Sequence, residues 1–177
     1  MKNIPNILTI FRIILAPVFV VVFFSGKENA YNLALVVYVL ASFTDFLDGY
    51  LARRYNLITE LGKVLDPFAD KVMLITVLIC LYIWGRIPLV IPVVVVVKEL
   101  FMIVSGLILY LRKERMVIPS NIFGKSATVI FMLSIMLLML YPDNDNLVYL
   151  LYLAVLVKII AFISYRITYV RNKKAAN

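Results

Sequence analysis

A chain of 177 residues that is 64% hydrophobic and 16% charged, with a mean hydropathy of +1.00, is too apolar for a soluble fold and reads as a single membrane domain over residues 1–177. Lys and Arg number 18 against 10 Asp and Glu, a net charge of +8. That would suggest nucleic acid in a soluble protein, but these basic residues gather in loops and tails, so no nucleic-acid partner is expected. Histidine is absent and Cys80 is the single cysteine. An internal disulfide is therefore excluded, and acid–base chemistry falls to Asp, Glu, Lys or Tyr.

Crossing a bilayer core of about 30 Å takes roughly 20 helical residues. Apolar runs of that length predict an all-α, polytopic protein with six transmembrane helices, over 5–24, 30–51, 66–85, 87–111, 122–141 and 146–169. The first is not read as a cleavable signal, since it contains Pro5, Arg12 and Pro17 and lacks a small-residue cleavage site. Asn6, Thr9 and Arg12 fall on one of its faces, suited to a substrate contact or to interfacial anchoring. The second span carries Asp45 and Asp48 near its end, and the third carries Asp66 and Asp70 at its start and Cys80 within. The β-branched stretch Pro92 to Val97 opens the fourth span and is read as helix, because lipid leaves no open sheet edge. Lys98 and Glu99 follow there as an intramembrane ion pair, or with Lys98 reaching toward the surface. Lys158 in the sixth span calls for a partner such as Glu99, or for a subunit interface. Ser25-Gly26, Trp84 to Pro88 and Pro142-Asp143 mark breaks, and Trp84 with tyrosines near span ends suits an interfacial belt.

Charge placement orients the spans. Arg53, Arg54 and Lys63 follow the second span, Arg112, Lys113, Arg115 and Lys125 follow the fourth, and Arg171, Lys173 and Lys174 lie in the tail. The alternate loops are short and poor in positive charge. By the positive-inside rule both termini and the two basic loops lie on the cytoplasmic side of the cell membrane, facing anionic lipid headgroups.

Residues 45 to 70 carry the chemistry. They read Asp-x2-Asp-Gly-x2-Ala-Arg-x8-Gly-x3-Asp-x3-Asp, filled by Asp45, Asp48, Gly49, Ala52, Arg53, Gly62, Asp66 and Asp70. Spacings of three and four put each aspartate pair on one helix face, and both pairs are expected at similar membrane depth. A carboxylate at that depth costs about 2.5–3.5 kcal/mol on insertion scales, so four of them call for compensation. Two divalent cations would neutralise the four charges, and oxygen-only ligation favours Mg²⁺ or Mn²⁺ over zinc. Two such ions can clamp a diphosphate. Gly49 and Ala52 leave room for a large group to approach the backbone, or for close helix packing. Arg53 can hold a phosphate, or anchor the helix at the surface.

This pattern resembles the signature of the CDP-alcohol phosphatidyltransferases at all eight fixed positions, and the chain's length and six-span layout are similar too. The resemblance implies a six-helix membrane fold, a homodimer, and a cytoplasm-facing binuclear metal centre held by Asp45, Asp48, Asp66 and Asp70. It implies that Asp70 deprotonates the acceptor hydroxyl, and it assigns Gly49, Ala52, Arg53 and Gly62 to the CDP part of the donor, CDP-diacylglycerol.

The opening Ile4 to Arg12, Thr44 before the motif, and Asp66-Pro67-Phe68-Ala69-Asp70-Lys71 at its close resemble the members that use sn-glycerol 3-phosphate as acceptor. That phosphate needs cations, for which Lys98, Arg112, Arg115 and Lys125 are candidates. Lys98-Glu99-Leu100 stands where the family often has Arg-Glu-Phe, and Ala127 where a second lysine is common. Members whose acceptor is phosphatidylglycerol share much of the same pattern and are the alternative. Membrane prenyltransferases lack the Gly-x2-Ala-Arg-x8-Gly spacing, and a cation carrier would need polar residues deep in several spans.

Overall fold

The computed structural model describes residues 4–55, 60–111 and 122–176, and these are helical with short turns between. Six helices follow in order: α1 Ile4–Phe23, α2 Ala30–Arg54, α3 Glu60–Ile83, α4 Val90–Leu111, α5 Ile122–Leu140 and α6 Leu147–Ala176. Among the described residues there is no strand, and Pro92 to Val97 is helical as lipid requires. The helices fall into two compact units, Met1–Gly85 and Arg86–Asn177.

Three elements differ in extent from the apolar runs. Helix α3 begins at Glu60 rather than 66, because charged residues end an apolar run without ending a helix. Helix α4 begins at Val90 rather than 87, after a turn through Pro88 whose carbonyl accepts from the Ile91 N–H at 3.1 Å. Helix α6 continues through the basic tail to Ala176. The breaks themselves use glycine. Gly26 at φ 69° and Gly85 at φ 79° take the left-handed conformation that costs other residues most.

In the first unit α1 packs along both α2 and α3, which touch one another only slightly. Its inward face carries Thr9, Arg12, Leu15, Ala16, Phe19 and Phe23, all buried, while Ile7, Ile10, Phe11, Ile14, Val18 and Val21 are exposed. The polar Thr9 and Arg12 point inward and the exposed face is apolar, the reverse of a soluble helix. Phe23, Tyr31 and Trp84 lock the far end together. The Tyr31 and Trp84 rings stack at 3.9 Å, and Phe23 meets Trp84 edge-on at 5.5 Å. That clasp sets the register of α1, and eleven residues earlier, about 16 Å along the axis, stands Arg12.

In the second unit α5 lies along α6, with Phe131, Ile135, Leu138, Leu151 and Ala154 buried. Phe101 of α4 meets Phe162 of α6 edge-on at 5.7 Å. Arg86 Nη1 donates to Asp145 Oδ1 at 3.1 Å, joining the segments that precede α4 and α6. Lys158 places its ammonium 3.9 Å from the centre of the Phe131 ring, a cation–π contact.

Asn6–Phe23, Ala30–Leu51 and Leu147–Ser164 are, among the described residues, long and apolar enough to cross a membrane, and Ser126–Leu140 is a shorter apolar stretch. Exposed Val, Leu, Ile and Phe side chains recur on every helix. This apolar exterior is that of a membrane protein.

Candidate active site on the first helical unit

The aspartate pairs stand on α2 and α3, and α1 is what connects them. On α2, Asp45 and Asp48 are one turn apart. Arg12 of α1 reaches both: Nη1 lies 2.5 Å from Asp45 Oδ1, and Nη2 donates to Asp48 Oδ2. On α3, Asp66 Oδ1 accepts from the Thr9 hydroxyl at 2.5 Å. Thr9 and Arg12 are three residues apart and so share a face. One stripe of α1 thereby serves a carboxylate pair from one helix and a carboxylate from another.

Exposure separates the acids by role. The Arg12 and Asp48 side chains are 2% and 3% exposed, so theirs is a buried ion pair. Asp45 is 50% exposed and Asp70 53%, with Lys71 Nζ 3.5 Å from Asp70 Oδ2. Asp66 and Asp70 both lie near enough to Asp45 to repel it, and Asp48 feels Asp45 and Asp66. The four carboxylates thus lie within electrostatic reach of one another. Tyr38, buried two turns before Asp45 on α2, hydrogen-bonds Ser42 and lies within electrostatic reach of Asp70. Thr44 spends its hydroxyl on the Ala41 carbonyl at 2.8 Å, within its own helix.

The donor set fits a hard divalent cation. It offers oxygen only, and four formal negative charges face one guanidinium and one ammonium. As the side chains stand they are turned to Arg12, Thr9 and Lys71, and among the described residues no three acidic side chains gather around one point.

The remaining sequence-predicted residues fall as follows. Gly49 lies on α2 directly after Asp48, partly covered. Ala52 and Arg53 continue α2, Gly62 lies in the first turn of α3 and Lys125 in that of α5, and the side chains of these last four lie outside the described ones. Arg112 and Arg115 lie outside the described residues. Lys98 belongs to the second unit, where its ammonium meets Glu99 Oε1 at 2.5 Å, the ion-pair reading of the two that the sequence leaves open. The part that sequence reasoning left open is the role of Thr9 and Arg12. Arg12 is no interfacial anchor, because it is buried on two carboxylates. The signal was present: an arginine inside an apolar span must find a counter-charge.

Comparisons with known proteins identify the family. The profile of the CDP-alcohol phosphatidyltransferase family matches residues 2–164. A Rickettsia bellii protein named CDP-diacylglycerol–glycerol-3-phosphate 3-phosphatidyltransferase is 37% identical over 149 residues, 84% of this chain and 81% of its own. Proteins of the same name from Haemophilus influenzae and Bacillus subtilis are also similar. The first is 36% identical over 173 residues, covering 92% of this chain and 91% of its own. The second is 33% identical over 153 residues, covering 80% and 78%. With the eight-residue motif intact and the match running through nearly the whole sequence, the chain belongs to the CDP-alcohol phosphatidyltransferase family.

Proposed function

We propose that this chain transfers the phosphatidyl group of CDP-diacylglycerol to sn-glycerol 3-phosphate, giving phosphatidylglycerophosphate and CMP. The observation that carries the reading is that the buried Thr9–Arg12 face of α1 contacts Asp45, Asp48 and Asp66, with Asp70 in electrostatic reach of Asp45. The names of the relatives support glycerol 3-phosphate as the acceptor.

Asp45, Asp48, Asp66 and Asp70 would hold two Mg²⁺ or Mn²⁺ ions, which would supply positive charge to neutralise the donor diphosphate and polarise its phosphorus. Asp70, half-exposed, is open to an incoming hydroxyl and takes its proton. The hydroxyl oxygen bonds to the β-phosphorus of CDP-diacylglycerol, the bond from that phosphorus to the CMP oxygen breaks, and CMP leaves with the electron pair. Gly49, Ala52, Arg53 and Gly62 receive the CDP part, with Arg53 as its cationic contact. The acceptor phosphate, a dianion, falls to Lys98, Arg112, Arg115 and Lys125. The apolar exterior accommodates the acyl chains while the diphosphate stays at headgroup depth.

The same reading takes all six helices as spans of one catalytic domain in the cell membrane, with both termini and the site cytoplasmic, in a homodimer. The basic loops after the second and fourth helices support that orientation.

Purified protein in mild detergent, given CDP-diacylglycerol and Mg²⁺, tests the reaction through CMP release. Release that requires glycerol 3-phosphate and stops with EDTA is the expected result. Release with phosphatidylglycerol alone would make it a cardiolipin synthase, and no release with either would overturn the proposal.

A further inference from the structure

Four carboxylates at one end of a three-helix unit repel one another, so their directions have to be set by donors. For three of them the donors come from α1 and from outside the aspartate motif. Arg12 engages Asp45 through Oδ1 and Asp48 through Oδ2, and Thr9 engages Asp66 through Oδ1. Each of these contacts takes one carboxylate oxygen. Both α1 residues are buried, Thr9 at 0% and Arg12 at 2% exposed, so solvent does not loosen these contacts.

The geometry points further. A guanidinium across an i,i+3 pair holds two carboxylates of α2 at once, through a planar fork whose nitrogens have a fixed spacing. Thr9, on the same stripe, holds a carboxylate of α3. Among the described residues α2 and α3 touch each other only slightly, and α1 packs along both, so α1 helps set the distance between the two pairs. The aromatic clasp of Phe23, Tyr31 and Trp84 anchors α1 at its other end and keeps that stripe in register. We propose that Thr9 and Arg12 are positioning residues, which fix Asp45, Asp48 and Asp66 by one oxygen each and so preset the places from which these acids would hold a divalent cation. The inference rests on the reading of the aspartates as the metal-holding set. Partners of this kind behind metal-binding carboxylates are typically worth about 10–100-fold in metal affinity.

The test is a Mn²⁺ titration of purified protein in detergent without substrate, free Mn²⁺ being read by electron paramagnetic resonance. Two substitutions keep the charge of the site unchanged and so leave its electrostatic pull on the ion intact. Thr9→Val removes only the hydroxyl, and Arg12→Lys keeps the charge but loses the fork. Each is expected to weaken Mn²⁺ binding by about 10-fold or more, with Thr9→Ser restoring wild-type affinity. Thr9→Val and Thr9→Ser should unfold at similar temperatures in EDTA. Mn²⁺ binding by Thr9→Val as tight as wild type, or tighter, overturns the proposal, and so does a Thr9→Ser variant as weak as Thr9→Val. Wild-type protein that takes up no EDTA-reversible Mn²⁺ would instead remove the metal reading itself, and this inference with it. Should Thr9→Val prove too unstable to purify, Arg12→Lys decides the question on the same scale.

Discussion

Replacing Arg12 by methionine removes the guanidinium from between two carboxylates while keeping most of its aliphatic stem. The two partners are not equal. Asp48 is 3% exposed, and a buried ion pair stripped of one member typically costs about 3–5 kcal/mol, because the remaining charge is left uncompensated. Asp45 is 50% exposed, and a pair at that exposure contributes about 0–1 kcal/mol. Arg12→Met should therefore destabilise the protein by about 3–5 kcal/mol, nearly all of it through Asp48. A double-mutant cycle with Asp48→Asn should give a coupling of about 3–5 kcal/mol, and the cycle with Asp45→Asn about 1 kcal/mol or less. The assay is reversible unfolding by SDS titration in mixed micelles, with EDTA present so that no metal takes over the carboxylates. A coupling to Asp48 near zero, or one to Asp45 that exceeds it, would refute the reasoning.

Asp66→Asn should abolish CMP release, and near-normal turnover in that variant would remove Asp66 from the metal-holding set. Asp70→Asn should lower kcat far more than it weakens donor binding, measured by steady-state kinetics alongside equilibrium binding of CDP-diacylglycerol; equal losses would argue against its role as base. Gly85→Ala should cost about 1–2 kcal/mol from backbone strain alone, since Gly85 sits at φ 79° and an added Cβ meets nothing within 4 Å. An unchanged unfolding midpoint would contradict the left-handed turn. Lys158→Met and Phe131→Leu should be coupled by about 1–2 kcal/mol in a double-mutant cycle, as the 3.9 Å cation–π contact requires, whereas strict additivity would place the ammonium elsewhere.

Local features were legible without coordinates where the physics is local. Aspartates three and four apart share a helix face whatever the helix touches, so the two pairs could be read from spacing alone. Gly26 and Gly85 end helices because a left-handed residue is cheapest at glycine. Element limits were less legible where apolar content and helicity part company. Glu60 to Val64 is helical without being apolar, and Ile87 to Leu89 is largely apolar without being helical, because of Pro88.

The sequence by itself determined the helical, membrane character of this protein, its family and the identity of its four acids, since composition and spacing are properties of the chain alone. Only the tertiary structure decided that α1 lies against both α2 and α3, and that Arg12 and Thr9 contact Asp45, Asp48 and Asp66. Arg12 and Asp48 are separated by 36 residues, and Thr9 and Asp66 by 57. No periodicity connects positions so far apart. A buried arginine must find a counter-charge, but which carboxylates it finds depends on helix packing, and here on the register that the Phe23–Tyr31–Trp84 clasp imposes on α1.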